Sequence, residues 1–319
     1  MKLNLPNSAF LGNIDPFFRT FDNSKPDKLV ITANKKWVSV HPVVLSMVAA
    51  LGLKTGKVFC EKMEATSKHY FERMGLFKFL GIDSGIQITE HESAARFIPL
   101  TQIKNSDELT KFITEMIPLL HLEPGQAKTI KYIVSELVRN VLEHSYSDIG
   151  AILSAQYYKK SNTIRIGIAD IGVGIKNSIN QSHFTSTDLK AIQLALTPGI
   201  TGTTNKEDGT EYNAGAGLFF IKSIAKVNKD FFLLYSGNAM YKLLKSASLK
   251  QKVTLYADPF NDRHSVDENL PYWSGTLIGI DISLDSTKEF SLLLDLIRET
   301  YVQTIRDRKK AKYRRPRFI

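Results

Sequence analysis

Apolar residues recur along this chain with two different periods, and the changes of period mark its elements. In the first third, short apolar runs alternate with helical patterns. Leu29, Val30, Ile31 and Thr32 read as a strand, and the mostly apolar residues 42–53 as a buried helix ended by Gly52 or Gly56. Residues 57–60 and 96–100 read as further strands, and residues 69–80 as a helix with Phe71, Met74 and Phe77 on one side. Residues 1–27 are polar, with Pro6, Pro16 and Pro26 breaking any long helix, and read as an N-terminal extension. The alternation over 28–122 predicts a small α/β domain. A helix is expected over 107–121, with Leu109, Phe112, Ile113, Met116 and Leu119 as its apolar face. The turn chemistry of Glu123-Pro-Gly-Gln then places a domain boundary.

The second half is more regular. A helix over 127–146 carries Ile130, Ile133, Val134, Leu137, Val138, Val141 and Leu142 at steps of three and four. Strands follow over 151–158 and 163–169, the second alternating Ile164, Ile166 and Ile168 before it stops at Asp170-Ile-Gly-Val-Gly. Residues 188–196 form a helix that Ser186 or Thr187 can cap. Residues 199–214 are polar and rich in Gly and Thr, the composition of a mobile loop. A helix over 217–227, strands over 231–235, 241–244, 252–256 and 276–284, and a terminal helix over 290–308 complete the prediction.

Chemistry gathers at three places in this half. Glu136, Asn140 and His144 are four apart, so at about 100° per residue they stack along one stripe of the 127–146 helix. Asp170, Gly172 and Gly174 sit at a strand end. Asn213-Ala-Gly-Ala-Gly-Leu, with Gly215, Ala216, Gly217 and Leu218, stands just before a helix. Each alone is weak, since Asp-x-Gly-x-Gly is a common turn and Gly-x-Gly eases close packing. Together, in this order, they match one kind of site. A buried Asp170 carboxylate can accept from the exocyclic amine of adenine, with Thr276 supporting the same edge. Gly172 and Gly174 let the backbone approach a nucleotide, and free N–H groups at Gly215 and Gly217 favour phosphate. Asn140 offers a neutral oxygen for Mg2+, and Glu136 can polarise a nucleophile as general base. His144 either borders the phosphates or is a helix-end histidine.

With these motifs, residues 127–284 resemble the GHKL superfamily: gyrase, heat-shock chaperone and mismatch-repair ATPases, sensor histidine kinases and anti-sigma serine kinases. SELVRNVLEH resembles the N-box, DIGVGI the first glycine box and NAGAGL the second. Gly275-Thr276 at the last strand also fits the family's pattern. The resemblance implies an α/β sandwich, a mixed sheet backed by helices, with an ATP and Mg2+ site under a mobile lid in which Thr203 also touches the nucleotide. The run of Glu136, Asn140 and His144 is most similar to the anti-sigma serine kinases. Residues 28–122 weakly resemble the STAS-type domains that are their usual partners. No phosphoacceptor histidine on a helical hairpin is expected. The 35 residues after Leu284 are too few for a transducer domain.

Two functions follow from these expectations. One is an Mg-dependent ATPase or protein serine/threonine kinase with Glu136 as base. The other is a nucleotide-gated module, regulatory or defensive, that binds protein or nucleic acid with little turnover. A protein partner or substrate and a homodimer are further expectations.

Composition adjusts this picture in few places. The length of 319 residues suits two domains, and 43% hydrophobic content suits a globular core. No apolar run approaches a membrane span, the first residues do not read as a secretory signal, and Cys60 is the only cysteine, so a cytoplasmic protein without disulfides is expected. His41, His69, His91, His121, His183 and His264 lack metal spacing, and Lys206 reads as a solvated loop lysine. Of the net charge of +10, +7 lies in residues 306–319, which hold eight Lys/Arg and one Asp. The basic character therefore belongs to a tail, where nucleic-acid contact and simple solvation are the two readings.

Overall fold

The computed structural model describes every residue except 25–26, 35–36, 62–66, 88–96, 201–216, 246–252, 285–289 and 314–319. In chain order it contains β1 (Lys2–Leu5), β2 (Ser8–Ala9), α1 (Asp15–Arg19), β3 (Leu29–Ala33), β4 (Ser39–Val40), α2 (Pro42–Thr55), β5 (Val58–Glu61), α3 (Lys68–Arg73), α4 (Leu76–Leu80), β6 (Phe97–Ile103) and α5 (Ser106–Lys111). There follow α6 (Pro124–His144), β7 (Ala151–Tyr158), β8 (Thr163–Ala169), α7 (Gly174–Ile179), α8 (Asp188–Ala195), α9 (Gly217–Val227), β9 (Phe232–Gly237), β10 (Ala239–Leu243), β11 (His264–Asp267), β12 (Trp273–Ser283) and α10 (Phe290–Tyr313). Among the described residues no helix is long and apolar enough to cross a membrane.

The architecture is α/β. A seven-stranded sheet runs β11-β10-β9-β12-β8-β7-β6, beside a parallel three-stranded sheet β1-β3-β5 and a short pair β2-β4. The expectation of a mixed large sheet is corrected, because each of its pairings is antiparallel. Short connections force that sense on β7–β8 and β9–β10. β12 then enters between β8 and β9, antiparallel to both.

Period-two alternation splits the sheet into two apolar faces. Ile164, Ile166, Ile168, Leu234, Ile278 and Ile280 pack with the apolar stripe of α6 and with α9. Ile152, Ala169, Leu233, Tyr235 and Leu277 face the other way and share a core with the first eighty residues. The dominant element on that side is α2, buried from Pro42 to Gly52. Its first turn lies directly on β8. A Cβ on Gly167 would stand 2.0 Å from the Val43 nitrogen, so only glycine permits the approach.

His41 caps α2, its Nδ1 accepting from the Val43 N–H at 3.1 Å. The proton is therefore on Nε2, which donates to Asp281 at 3.1 Å. Burial holds this imidazole below its ordinary pKa, against the pull of Asp281. Arg165 joins the same carboxylate at 3.6 Å, with its guanidinium over the rings of Tyr158 and Phe10. Ser46 donates to the Gly167 carbonyl and Ser154 to the Pro42 carbonyl, so this polar seam also pairs its neighbours.

Several expected boundaries move. Residues 1–27 are not a polar extension: β1 pairs with β3, and Leu3, Leu5, Leu11, Phe17 and Phe18 are buried. The strand assigned to the first domain at 96–100 becomes β6, the edge of the large sheet. Gly75, at φ +73°, breaks the 69–80 helix into α3 and α4. The 107–121 helix keeps α form only to Lys111, then loosens into a π turn and a 3-10 turn. Glu123-Pro-Gly-Gln opens α6 rather than forming a turn, with Gln126 Oε1 accepting from the Glu123 N–H. Residues 253–256 form no strand, and β11 takes that place in the sheet.

The glycine contact gives a test of how the layers are joined. Gly167→Ala should destabilise the protein by at least about 1–3 kcal/mol, as overpacking against fixed backbone does. Gly125→Ala, where an added Cβ meets nothing within 4 Å, should be neutral or slightly stabilising. Denaturant unfolding of the two variants compares them directly.

Candidate functional site

α6 is long because its sequence holds a wide apolar stripe and its start is tied down. Gln126 Nε2 donates to the Leu284 carbonyl just beyond β12, fixing the helix's entry to the sheet. Burying Ile133, Leu137 and Val141 turns Asn140 and His144 toward the cleft that α6 and α9 form with the central strands β8 and β12, with Glu136 one turn before Asn140. The Glu136 side chain is 22% exposed, with Arg139 3.6 Å away. Burial raises its pKa, and Arg139 opposes the rise. Gly217, the first residue of α9, presses on this pair. A Cβ there would come within 2.9 Å of Glu136 Oε2 and 3.5 Å of Asn140 Nδ2. That Asn140 nitrogen is buried without a hydrogen-bond partner among the described residues.

At the end of β8 the chain turns at Asp170, which is 1% exposed. Its Oδ1 accepts from the Gly172 N–H at 2.8 Å and its Oδ2 from the Thr276 N–H at 3.2 Å. Burial raises its pKa to about 6, while the bonds from Gly172 and Thr276 pull it down. The backbone around it is equally constrained. Asp170 N–H donates to the Thr276 carbonyl, and Trp273 Nε1–H donates to the Asp170 carbonyl. Gly172 packs against the end of α6, where a Cβ would fall 1.9 Å from the Ser145 carbonyl. The neighbouring Val173 N–H donates to that same carbonyl. The helix motif and the strand-end motif, 34 residues apart at Glu136 and Asp170, therefore meet through direct backbone contact.

These parts enclose a cavity of about 120 Å3. A single water needs only roughly 10–15 Å3, so the space suits an organic ligand. Asn140, His144, Asp170, Gly174, Gly217, Leu218 and Thr276 line it. Glu136 stands behind Gly217, and Gly172 braces the Asp170 turn. Thr203, Gly215 and Ala216 lie outside the described residues. His144 is partly exposed and 3.9 Å from Glu143.

Sequence reasoning missed α7, whose Ile175, Ser178 and Ile179 form one apolar wall. It also missed Ser236, which accepts from the Ile175 N–H at 2.9 Å and donates to the Gly275 carbonyl at 2.7 Å, pinning α7 to the sheet. Ile168 and Ile278, paired across β8 and β12, floor the cavity. Their inward alternation was the available signal for the floor; Ser236 offered none, since it reads as part of a hairpin turn. Among the described residues no group of three or more His, Cys, Asp or Glu side chains is placed to hold a metal. Comparison with family models, curated proteins and solved structures finds no match.

Arrangement and chemistry agree on what the cleft can do. One ionisable acceptor, Asp170, and one amide, Asn140, line a cavity with apolar walls, and the Glu136 carboxylate stands behind Gly217. Asp170 also leaves a pH signature. Folded, it holds its proton up to about pH 6, whereas an unfolded aspartate releases it near 3.8. Stability should therefore fall as pH rises through this window, by about 3 kcal/mol in total. Unfolding measured at pH 4 to 7 should show this slope as the difference between the parent and Asp170→Asn.

Proposed function

We propose that this cleft binds ATP with Mg2+ and that the chain is an ATPase or a protein serine/threonine kinase of GHKL type. The observation that carries the reading is Asp170: a buried carboxylate held by two backbone N–H groups at a cavity walled by Leu137, Ile168, Ile175 and Ile278. An ionised carboxylate there accepts from an exocyclic amine and discriminates against a carbonyl at the same position. Thr276, on the paired strand, adds to the same edge.

The other end of the cleft fits the phosphates. The start of α9 meets α6 at Gly217, and an N-terminus of this kind favours an anion. Asn140 would hold the Mg2+, which when bound neutralises phosphate charge. One or two protein ligands suffice for an ion that also binds phosphate oxygens. Glu136 accepts the proton of a water or of a Ser/Thr hydroxyl as its oxygen attacks the γ-phosphorus, and the bond to the ADP oxygen breaks. The raised pKa of Glu136 strengthens it as a base, and a pure binding module has no use for a carboxylate at that place. The parallel β1-β3-β5 sheet with its helices supports a STAS-like front segment at the level of α/β class.

Calorimetric titration with Mg-ATP tests the reading. Asp170→Asn should lower affinity at least about tenfold, as loss of a hydrogen bond to a charged group does. Glu136→Gln should keep affinity within a few-fold and lose turnover by at least about 100-fold. Unchanged affinity in the first variant removes the base-binding role of Asp170. Full turnover in the second removes Glu136 as the base.

A further inference from the structure

We infer that the basic end of α10 is a nucleic-acid-binding surface and that its occupancy alters the nucleotide cleft through Arg308. The coupling half rests on the ATP reading above; the binding half does not.

The packing of α10 divides it in two. Its first part lies on the helices that build the site: Ile297 is fully buried, Tyr301 meets Phe220 of α9 at 6.1 Å, and Arg298 acts on Tyr132 of α6. Beyond Tyr301 the helix is exposed at Arg306, Asp307 and Lys310, and this is where the charge of the chain is concentrated. Residues 306–312 alone hold five Lys or Arg and one Asp, +4 of the net +10. Between Gln303 and Lys312 the only apolar residues are Ile305 and Ala311. A helix that lies on a membrane needs an apolar face beside its cationic one, and this segment has none. A polyanion bound through charge alone suits it.

Arg308 belongs to this basic segment and holds the stretch between two residues of the cleft wall, Ala195 and Ile200. Its guanidinium donates to the Pro198 carbonyl at 2.6 Å, just after α8. Two residues on, Ile200 lines the cavity, as does Ala195 before it. A nucleic-acid phosphate competes for the same guanidinium, because a charged acceptor outbids a neutral carbonyl. Releasing Pro198 loosens the wall that Ala195 and Ile200 form, so nucleic acid weakens nucleotide binding. By linkage, nucleotide weakens nucleic-acid binding by the same factor.

The test uses the full chain with a short duplex DNA and a single-stranded RNA of equal length, read by fluorescence anisotropy across a salt series, with and without Mg-ATP. Binding of at least one probe is expected, with log K on duplex falling by roughly 0.9 per phosphate neutralised for each tenfold rise in salt. Arg306→Glu with Lys310→Glu should abolish most of it while leaving Mg-ATP affinity and thermal unfolding unchanged. Arg308→Gln should keep most nucleic-acid affinity but remove the mutual weakening, expected at about fivefold. No binding at low salt, indifference to the double charge reversal, or preference for anionic lipid vesicles or an acidic peptide overturns the nucleic-acid assignment. Both ligands binding with no effect on one another overturns the coupling. Nucleic acid binding by a chain that never binds ATP supports the surface and refutes the ATP reading instead.

Discussion

A β-sheet with two apolar faces is stable in water only when both are covered, and here that requirement organises the whole chain. β8 and β12 are its middle. One set of their side chains faces α6 and α9, and the alternate set faces α2 and the first eighty residues. The faces are covered in different ways. α6 packs by a broad aliphatic stripe. α2 packs by nearness, its first turn brought down onto Gly167 and sealed at the rim by His41, Asp281 and Arg165. His41 and Asp281 are hydrogen-bonded there, whereas the buried Arg165 Nε reaches Asp281 only at ion-pair range, 3.6 Å, so the polar seam offsets part of what the apolar burial gains.

The cleft inherits its rigidity from this double support. Asp170 lies where β8 leaves the sheet, and its neighbours are fixed from three directions: β12 through Thr276, the end of α6 through Ser145, and Trp273 from the face shared with the N-terminal residues. A carboxylate so buried costs the folded protein stability, since its charged form has lost water. Such groups are concentrated at sites where the charge is used. Glu136 is less enclosed: it is still reached by solvent, and its ion-pair partner among the described residues is the exposed Arg139.

How much of this was legible depended on the range of the determining contacts. The α6 stripe, the β7–β8 pair and the alternation of β8 are local patterns, and they were readable. So was the grouping of Asn140, Asp170, Gly217 and Thr276 around one cavity, because residue type at each place carried chemistry. Residues 1–27 misled because β1 is buried by pairing with β3 and not by its own composition. The membership of β6 in the large sheet depends on β7, some fifty residues later, as Ile98 opposite Ala155 illustrates. Residues 253–256 have strand composition, but Lys222 of α9 binds the Tyr256 carbonyl and draws them off the sheet edge. Ser236 was invisible for a similar reason: its importance lies in Ile175 and Gly275, which only the fold brings near.

The closeness of α2 to β8 and β12 also bears on how the chain is made. His41 and Asp281 are separated by 240 residues, so α2 leaves the ribosome well before the strand that carries Asp281. Its surface is apolar almost all round, and the strands that bury it are synthesised far later. During that interval the small parallel sheet and the aromatic residues of α1, α3 and α4 are the described parts synthesised near it that share its core. Contacts of such long range slow folding, and exposed apolar segments in the waiting chain invite association. The same helix that completes the sheet is thus the segment most in need of protection until β12 is in place.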